Sequence, residues 1–172
     1  MTADPDATLA ERARKLAMPL VATADSTTEP MLSFALGEER FLAPLDSVRE
    51  VASLDSITRI PGLPFFFAGL TTVRGDIVPV IDVRGFLGLP ERRPERAEKI
   101  LIVESDGAPV GIWVDRMQGL VAVDATHLTL DHALSSAGFR GRMPDLGTVV
   151  DLTALVVAAR LTESPNPQAQ EK

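Results

Sequence analysis

The chain has 172 residues, 45% of them apolar, with no cysteine and a net charge of −7 from 17 Lys plus Arg against 24 Asp plus Glu. That length suits one compact domain or two small subdomains sharing a core, since domains run to roughly 100–200 residues, while the lack of cysteine removes disulfides and thiolate metal sites and fits a reducing, cytoplasmic setting. The acidic balance would repel a phosphate backbone, so nucleic acid is not an expected partner, and no apolar run reaches the ~18 residues of a membrane span.

Residues 1–30 read as an extension. Thr8-Leu9-Ala10-Glu11 fits a capping box, in which hydroxyl and carboxylate satisfy opposite backbone donors at a helix start. Leu9, Ala13, Leu16, Ala17 and Leu20 then recur at helical spacing, with Arg12, Arg14 and Lys15 elsewhere on the wheel and Pro19 closing the pattern. The acidic start and the short apolar runs argue against a signal peptide. ATADSTTEP has linker composition.

From Met31 the pattern changes to short strands. MLSFAL and RFLAPL around Gly37-Glu38-Glu39 predict a hairpin, and VREV, SITRI, GLTTV and IVPVI follow at close spacing. Arg74-Gly75-Asp76 is a turn between the last two; as an adhesion tripeptide it is a weak motif without an export signal. KILIVE and PVGIWVD enclose Ser105-Asp106-Gly107, a second hairpin, and VAVD and GTVVD supply two more strands. Many short strands separated by regular turn signals favour barrels or a sandwich. Asp82 can cap a short turn over 83–87, and Asp151 a helix over 151–161 with Arg160 at its negative end. Residues 91–99 read as a charged loop, 164–172 as a disordered tail, and no internal repeat stands out.

Signatures of catalysis are missing. His127 and His132 stand five apart with no third ligand, no Gly-x-Ser-x-Gly elbow is present, and Gly85-Phe86-Leu87-Gly88 lacks the lysine and serine of a P-loop. Asp76, Asp82 and Asp115 could cluster, but each lies at a strand end or turn where Asp caps for structural reasons. Of Phe65, Phe66 and Phe67, two are expected in the core and one exposed; Trp113 is expected in the core.

In order, FALGEERFLAPLDSVREV, ITRIPGLPFFFAGLTTVRGDIVPVIDVRGFLGL, ILIVESDGAPVGIWVDRMQGL and GTVVDLTALV resemble the CheW-like domain, the adaptor module of bacterial chemosensory signalling. The resemblance spans about residues 31–161 and implies a CheW-like domain over 31–163. The implied fold is mainly β, two small five-stranded SH3-like β-barrel subdomains packed together, with short helices including a C-terminal one. It further implies a noncatalytic, cytoplasmic adaptor without cofactor or metal. Its partners would be the cytoplasmic tip of methyl-accepting chemoreceptors, held in a groove between barrels, and the regulatory domain of the histidine kinase CheA at barrel edges. The same module ends CheA and begins CheV; with no ATP-binding or receiver segment here, a stand-alone adaptor is expected. Position by position, the resemblance puts Arg74 in the domain's arginine slot, pairs it with Glu50 of VREV, and sets Val48 and Gly69 beside them as receptor-binding residues. Thr72-Val73 departs from the usual Asn-Leu, and the triple phenylalanine is more aromatic than usual. A CheW-like regulator of pili or development, and a small β-barrel enzyme or ligand-binding protein, stay open as alternatives.

Overall fold

The computed structural model describes residues 28–90, 98–130 and 138–163. The predicted N-terminal helix, residues 91–97 of the predicted loop, His132 and the tail lie outside the described residues. Ten strands are described: β1 (Thr28–Leu36), β2 (Glu39–Pro44), β3 (Glu50–Leu54), β4 (Phe67–Val73), β5 (Asp76–Ile81), β6 (Glu98–Ser105), β7 (Ala108–Val114), β8 (Arg116–Asp124), β9 (Phe139–Met143) and β10 (Gly147–Val150). A helix, α1 (Leu152–Glu163), follows, and 3-10 turns cover Leu45–Ser47, Arg84–Leu87 and Ala125–His127. The strands form two five-stranded curled sheets, ordered β8-β1-β2-β10-β9 and β3-β6-β7-β5-β4. The mainly β, two-barrel expectation is met.

Local chemistry explains the hairpins. Asp106 and Gly107 take φ values of 52° and 76° between paired Ser105 and Ala108, and Arg74 and Gly75 take 53° and 95° between paired Val73 and Asp76. Two successive left-handed residues make the two-residue turn whose twist matches that of the strands. Asp151 Oδ1 accepts from the Ala154 N–H at 2.9 Å and caps α1, whereas Asp82 Oδ1 accepts from the Arg84 N–H at 3.0 Å from one position ahead of Val83, the N-cap of the 3-10 turn.

Period-two alternation sorts side chains among three cores. On β6, Ile100 and Ile102 face a cluster inside the second sheet with Val78, Val80 and Trp113, while Leu101 and Val103 face a larger cluster between the sheets. That central cluster takes Phe34 and Phe41 from one sheet, Val110 and Ile112 from the other, and Leu152, Leu155, Val156 and Ala159 from α1 at helical spacing. Met31, Leu42, Val123, Met143 and Val149 fill the inside of the first sheet. Burial on both faces makes β6 a continuous apolar run.

One predicted strand is absent and one strand was not predicted. SITRI forms no strand; only Thr58 makes a bridge, to Leu70, closing the second barrel. Phe139-Arg140-Gly141-Arg142-Met143 is a strand that the sequence did not signal, because its alternation pairs buried Gly141 and Met143 with exposed arginines.

The fold also holds a repeat. The parallel contacts Val80 with Gly111 and Val149 with Leu42 superpose at a constant offset of 69 residues, which carries β1, β2, β3 and β5 onto β6, β7, β8 and β10. Each half contributes a hairpin to one sheet and three strands to the other. Gly69 and Gly141, 72 residues apart, play equivalent parts beside the bridges Thr58–Leu70 and Thr129–Arg142: with φ of 148° and 149°, an added Cβ would lie 2.5 Å from the Thr58 carbonyl oxygen and 2.7 Å from that of Thr129. In both barrels a glycine admits the segment that closes the sheet.

Candidate interaction site

At the tip of the β4–β5 hairpin the Arg74 guanidinium reaches Glu50 Oε2 at 2.7 Å, from the first residue of β3. The Arg74 side chain is 80% exposed and that of Glu50 25%. With Arg49, Asp76 and Pro109 they line a cleft of about 340 Å³. A second, looser pair, Arg49 with Glu104 at 3.9 Å, lies beside it.

Magnitudes bear on why an arginine occupies this turn. A left-handed conformation costs a non-glycine residue roughly 1–2 kcal/mol, whereas an exposed ion pair returns about 0–1 kcal/mol. Asparagine or glycine would serve the turn better. Holding Arg74 there is a local cost that folding alone does not explain, and such outliers point toward function.

The other two expected site residues are placed differently. Val48, at the end of the 3-10 turn, packs against the core between the sheets. Gly69 is buried beneath Thr58, where its lack of a side chain is a steric requirement. Neither lines the Glu50–Arg74 cleft.

Asp76, Asp82 and Asp115 do not converge on one pocket. Asp76 lines the Arg74 cleft, while Asp82 and Asp115 close on Arg84, which is 2% exposed. Its Nη1 lies 3.0 Å from Asp82 Oδ1 and its Nη2 2.6 Å from Asp115 Oδ1, and the guanidinium sits 4.1 Å from the centre of the Trp113 ring. Asp115 also accepts from the Gly37 N–H, tying the buried arginine to the first hairpin. Burial raises the Asp82 carboxyl above its ordinary value, opposed by the Arg84 N–H and guanidinium. Among the described residues no group of three or more His, Asp or Glu could hold a metal ion.

An exposed apolar surface lies on the β3–β4 connection, where Ile60 and Leu63 are 41% exposed and Phe65 62%. Phe65 meets Phe66 edge-on at 5.6 Å and covers Gly85, while Phe66 is buried and Phe67 half-buried, as expected for two of three rings. Trp113 is fully buried. His127 is exposed. The sequence reading missed Arg84; Asp-x-Arg after a strand, with a second Asp ending another, was the available signal.

Comparison with known proteins agrees with this architecture. The CheW-like domain family model matches residues 30–157. The chain is 31% identical over 111 residues to Protein PilI of Pseudomonas aeruginosa, covering 64% of this chain and 62% of that protein. It is 28% identical over 102 residues to Chemotaxis protein CheW of Bacillus subtilis, covering 59% and 65%. It spans about three-fifths of the length of the first curated relatives it matches, 62% and 60% for two of them. The crystal structure of scaffolding protein TtCheW from Thermoanaerobacter tengcongensis superposes with a TM-score of 0.65 at 28% identity, covering 74% of this chain and 92% of that one. A family model matching well over half of the chain, on a fold shared with a solved member, places this protein in the CheW-like domain family.

Proposed function

We propose that the chain is a noncatalytic cytoplasmic adaptor that couples methyl-accepting chemoreceptors to the histidine kinase CheA. Val48, Glu50, Gly69 and Arg74 form its receptor face: Glu50 and Arg74 make contact, and Val48 and Gly69 shape the framework beneath. The observation that carries this reading is Arg74, held in a left-handed turn at the tip of a hairpin and oriented by Glu50. A guanidinium so placed can bind one carboxylate and still present donors to a receptor helix.

The test is a double-mutant cycle by calorimetry against a receptor-tip fragment, with circular dichroism as the folding control. Arg74→Glu weakens binding and leaves the fold intact, and reversing both residues recovers part of the loss if the mutual contact matters. Unchanged affinity in Arg74→Glu returns the turn to a structural role. A second reading, a CheW-like regulator of a non-flagellar pathway, is supported by the similarity to Protein PilI. Affinity capture from the native cell, identifying the receptor and kinase retained, separates the two.

A further inference from the structure

The offset of 69 residues sets the buried arginine site beside a counterpart that lacks its arginine. In the second barrel Asp82 and Asp115 end the adjacent parallel strands β5 and β7 and clamp Arg84 over Trp113. At the same offset in the first barrel, Asp151 directly follows β10 as Asp82 follows β5, and Asp46, the counterpart of Asp115, lies in the 3-10 turn that follows the parallel strand β2. Arg84 becomes Thr153 and Trp113 becomes Pro44. The two large groups are gone and the two carboxylates stay.

What remains is a cleft of about 520 Å³, lined by Pro44, Asp46, Asp151, Thr153 and Ser47, with Glu29 and Arg140 also facing it. Three carboxylates face one guanidinium there, and no ion pair joins them among the described residues. Asp151 uses Oδ1 to cap α1, as Asp82 uses Oδ1 for the Arg84 N–H, and Asp82 holds the guanidinium through that same oxygen. The cap therefore does not prevent Asp151 from binding a cation. Asp46 is exposed.

We propose that this cleft receives an arginine side chain of a partner polypeptide, clamped between Asp46 and Asp151 as Arg84 is clamped between Asp115 and Asp82. The occupied barrel shows the ligand chemistry: two carboxylates at the ends of parallel strands accept a planar guanidinium from two sides. The open barrel has room for an entire arginine side chain, where Pro44 offers an apolar wall in place of the indole. The assignment is independent of the receptor face, which lies in the other barrel.

The experiment is an amide NMR titration of the full chain with Nα-acetyl-arginine methylamide, using the citrulline analogue as a neutral isostere. The arginine probe gives saturable shifts at Asp46, Ser47, Asp151 and Thr153, and citrulline binds roughly tenfold more weakly, the loss expected for one charge-assisted contact. Asp46→Asn weakens the arginine probe without lowering the melting temperature. Thr153→Arg restores the internal guanidinium, abolishes probe binding and raises the melting temperature. Arg12→Gln with Arg14→Gln leaves the affinity unchanged; a tighter probe there would overturn the partner assignment in favour of the chain's own extension. Arg140→Gln binds the probe equally or better. The proposal fails if shifts do not localise to the cleft, if citrulline equals arginine, if Asp46→Asn has no effect, or if Arg140→Gln loses binding.

Discussion

Replacing Arg84 by methionine would remove the cation from a buried site while leaving its two carboxylates in place. The guanidinium is 2% exposed, and the Asp82 and Asp115 side chains are 12% and 7% exposed. Breaking a buried pair from one side costs about 3–5 kcal/mol, because the remaining charge is uncompensated. For a domain of this size each 1 kcal/mol moves the melting temperature by roughly 2–4 °C, so a fall of about 6–20 °C is expected. The protein has one tryptophan, and it lies under Arg84, so urea unfolding followed by Trp113 fluorescence reads the site directly. Acid provides the sign. Burial raises the Asp82 carboxyl above the ordinary 3.8, so the folded state holds this proton more tightly than the unfolded one. Its contribution to stability is present at low pH and lost as pH rises through the folded value. Without the guanidinium the carboxyl rises further, so the deficit of Arg84→Met is full at neutral pH and shrinks in acid. Adding Asp82→Asn and Asp115→Asn recovers part of the loss at neutral pH. A deficit under about 1 kcal/mol, within the range of exposed pairs, or one that grows in acid, would refute the reasoning.

Arg74→Asn relieves the left-handed strain and loses an exposed ion pair, so denaturant stability should stay level or rise by up to ~1 kcal/mol while receptor-tip affinity falls; a clear loss of stability would show the arginine serving the fold. Gly69→Ala places a methyl 2.5 Å from the Thr58 carbonyl oxygen at a φ of 148°. It should cost at least about 1–3 kcal/mol in the same urea assay, lowering stability and binding together where Arg74→Asn separates them. Deleting residues 1–27, which precede β1, should leave the thermal midpoint nearly unchanged in calorimetry, and a large drop would mean that the extension completes the core.

Interactions between near neighbours were legible in the amino-acid sequence. The Asp106-Gly107 turn, the cap at Asp151 and the short apolar runs depend on chemistry within a few residues, and the ordered run from Phe34 to Val156 carried the family resemblance. The strand at Phe139–Met143 was not legible, because its inward positions include a glycine whose burial depends on Leu128 and Thr129. The repeat was hidden for a related reason. Core positions such as Phe34 and Val103, or Ala43 and Ile112, need only be apolar and jointly fill a volume, so their identities drift. The carboxylate pairs Asp46 with Asp115 and Asp82 with Asp151 persist across the offset of 69 residues. The exchange of strands between halves brought Asp82 together with Asp115 around Arg84 and placed Asp151 on the same cleft as Asp46, where Thr153 stands in place of the arginine. Long-range packing sets the burial, neighbours and ionisation of a charged side chain, and residue order along the chain does not specify it.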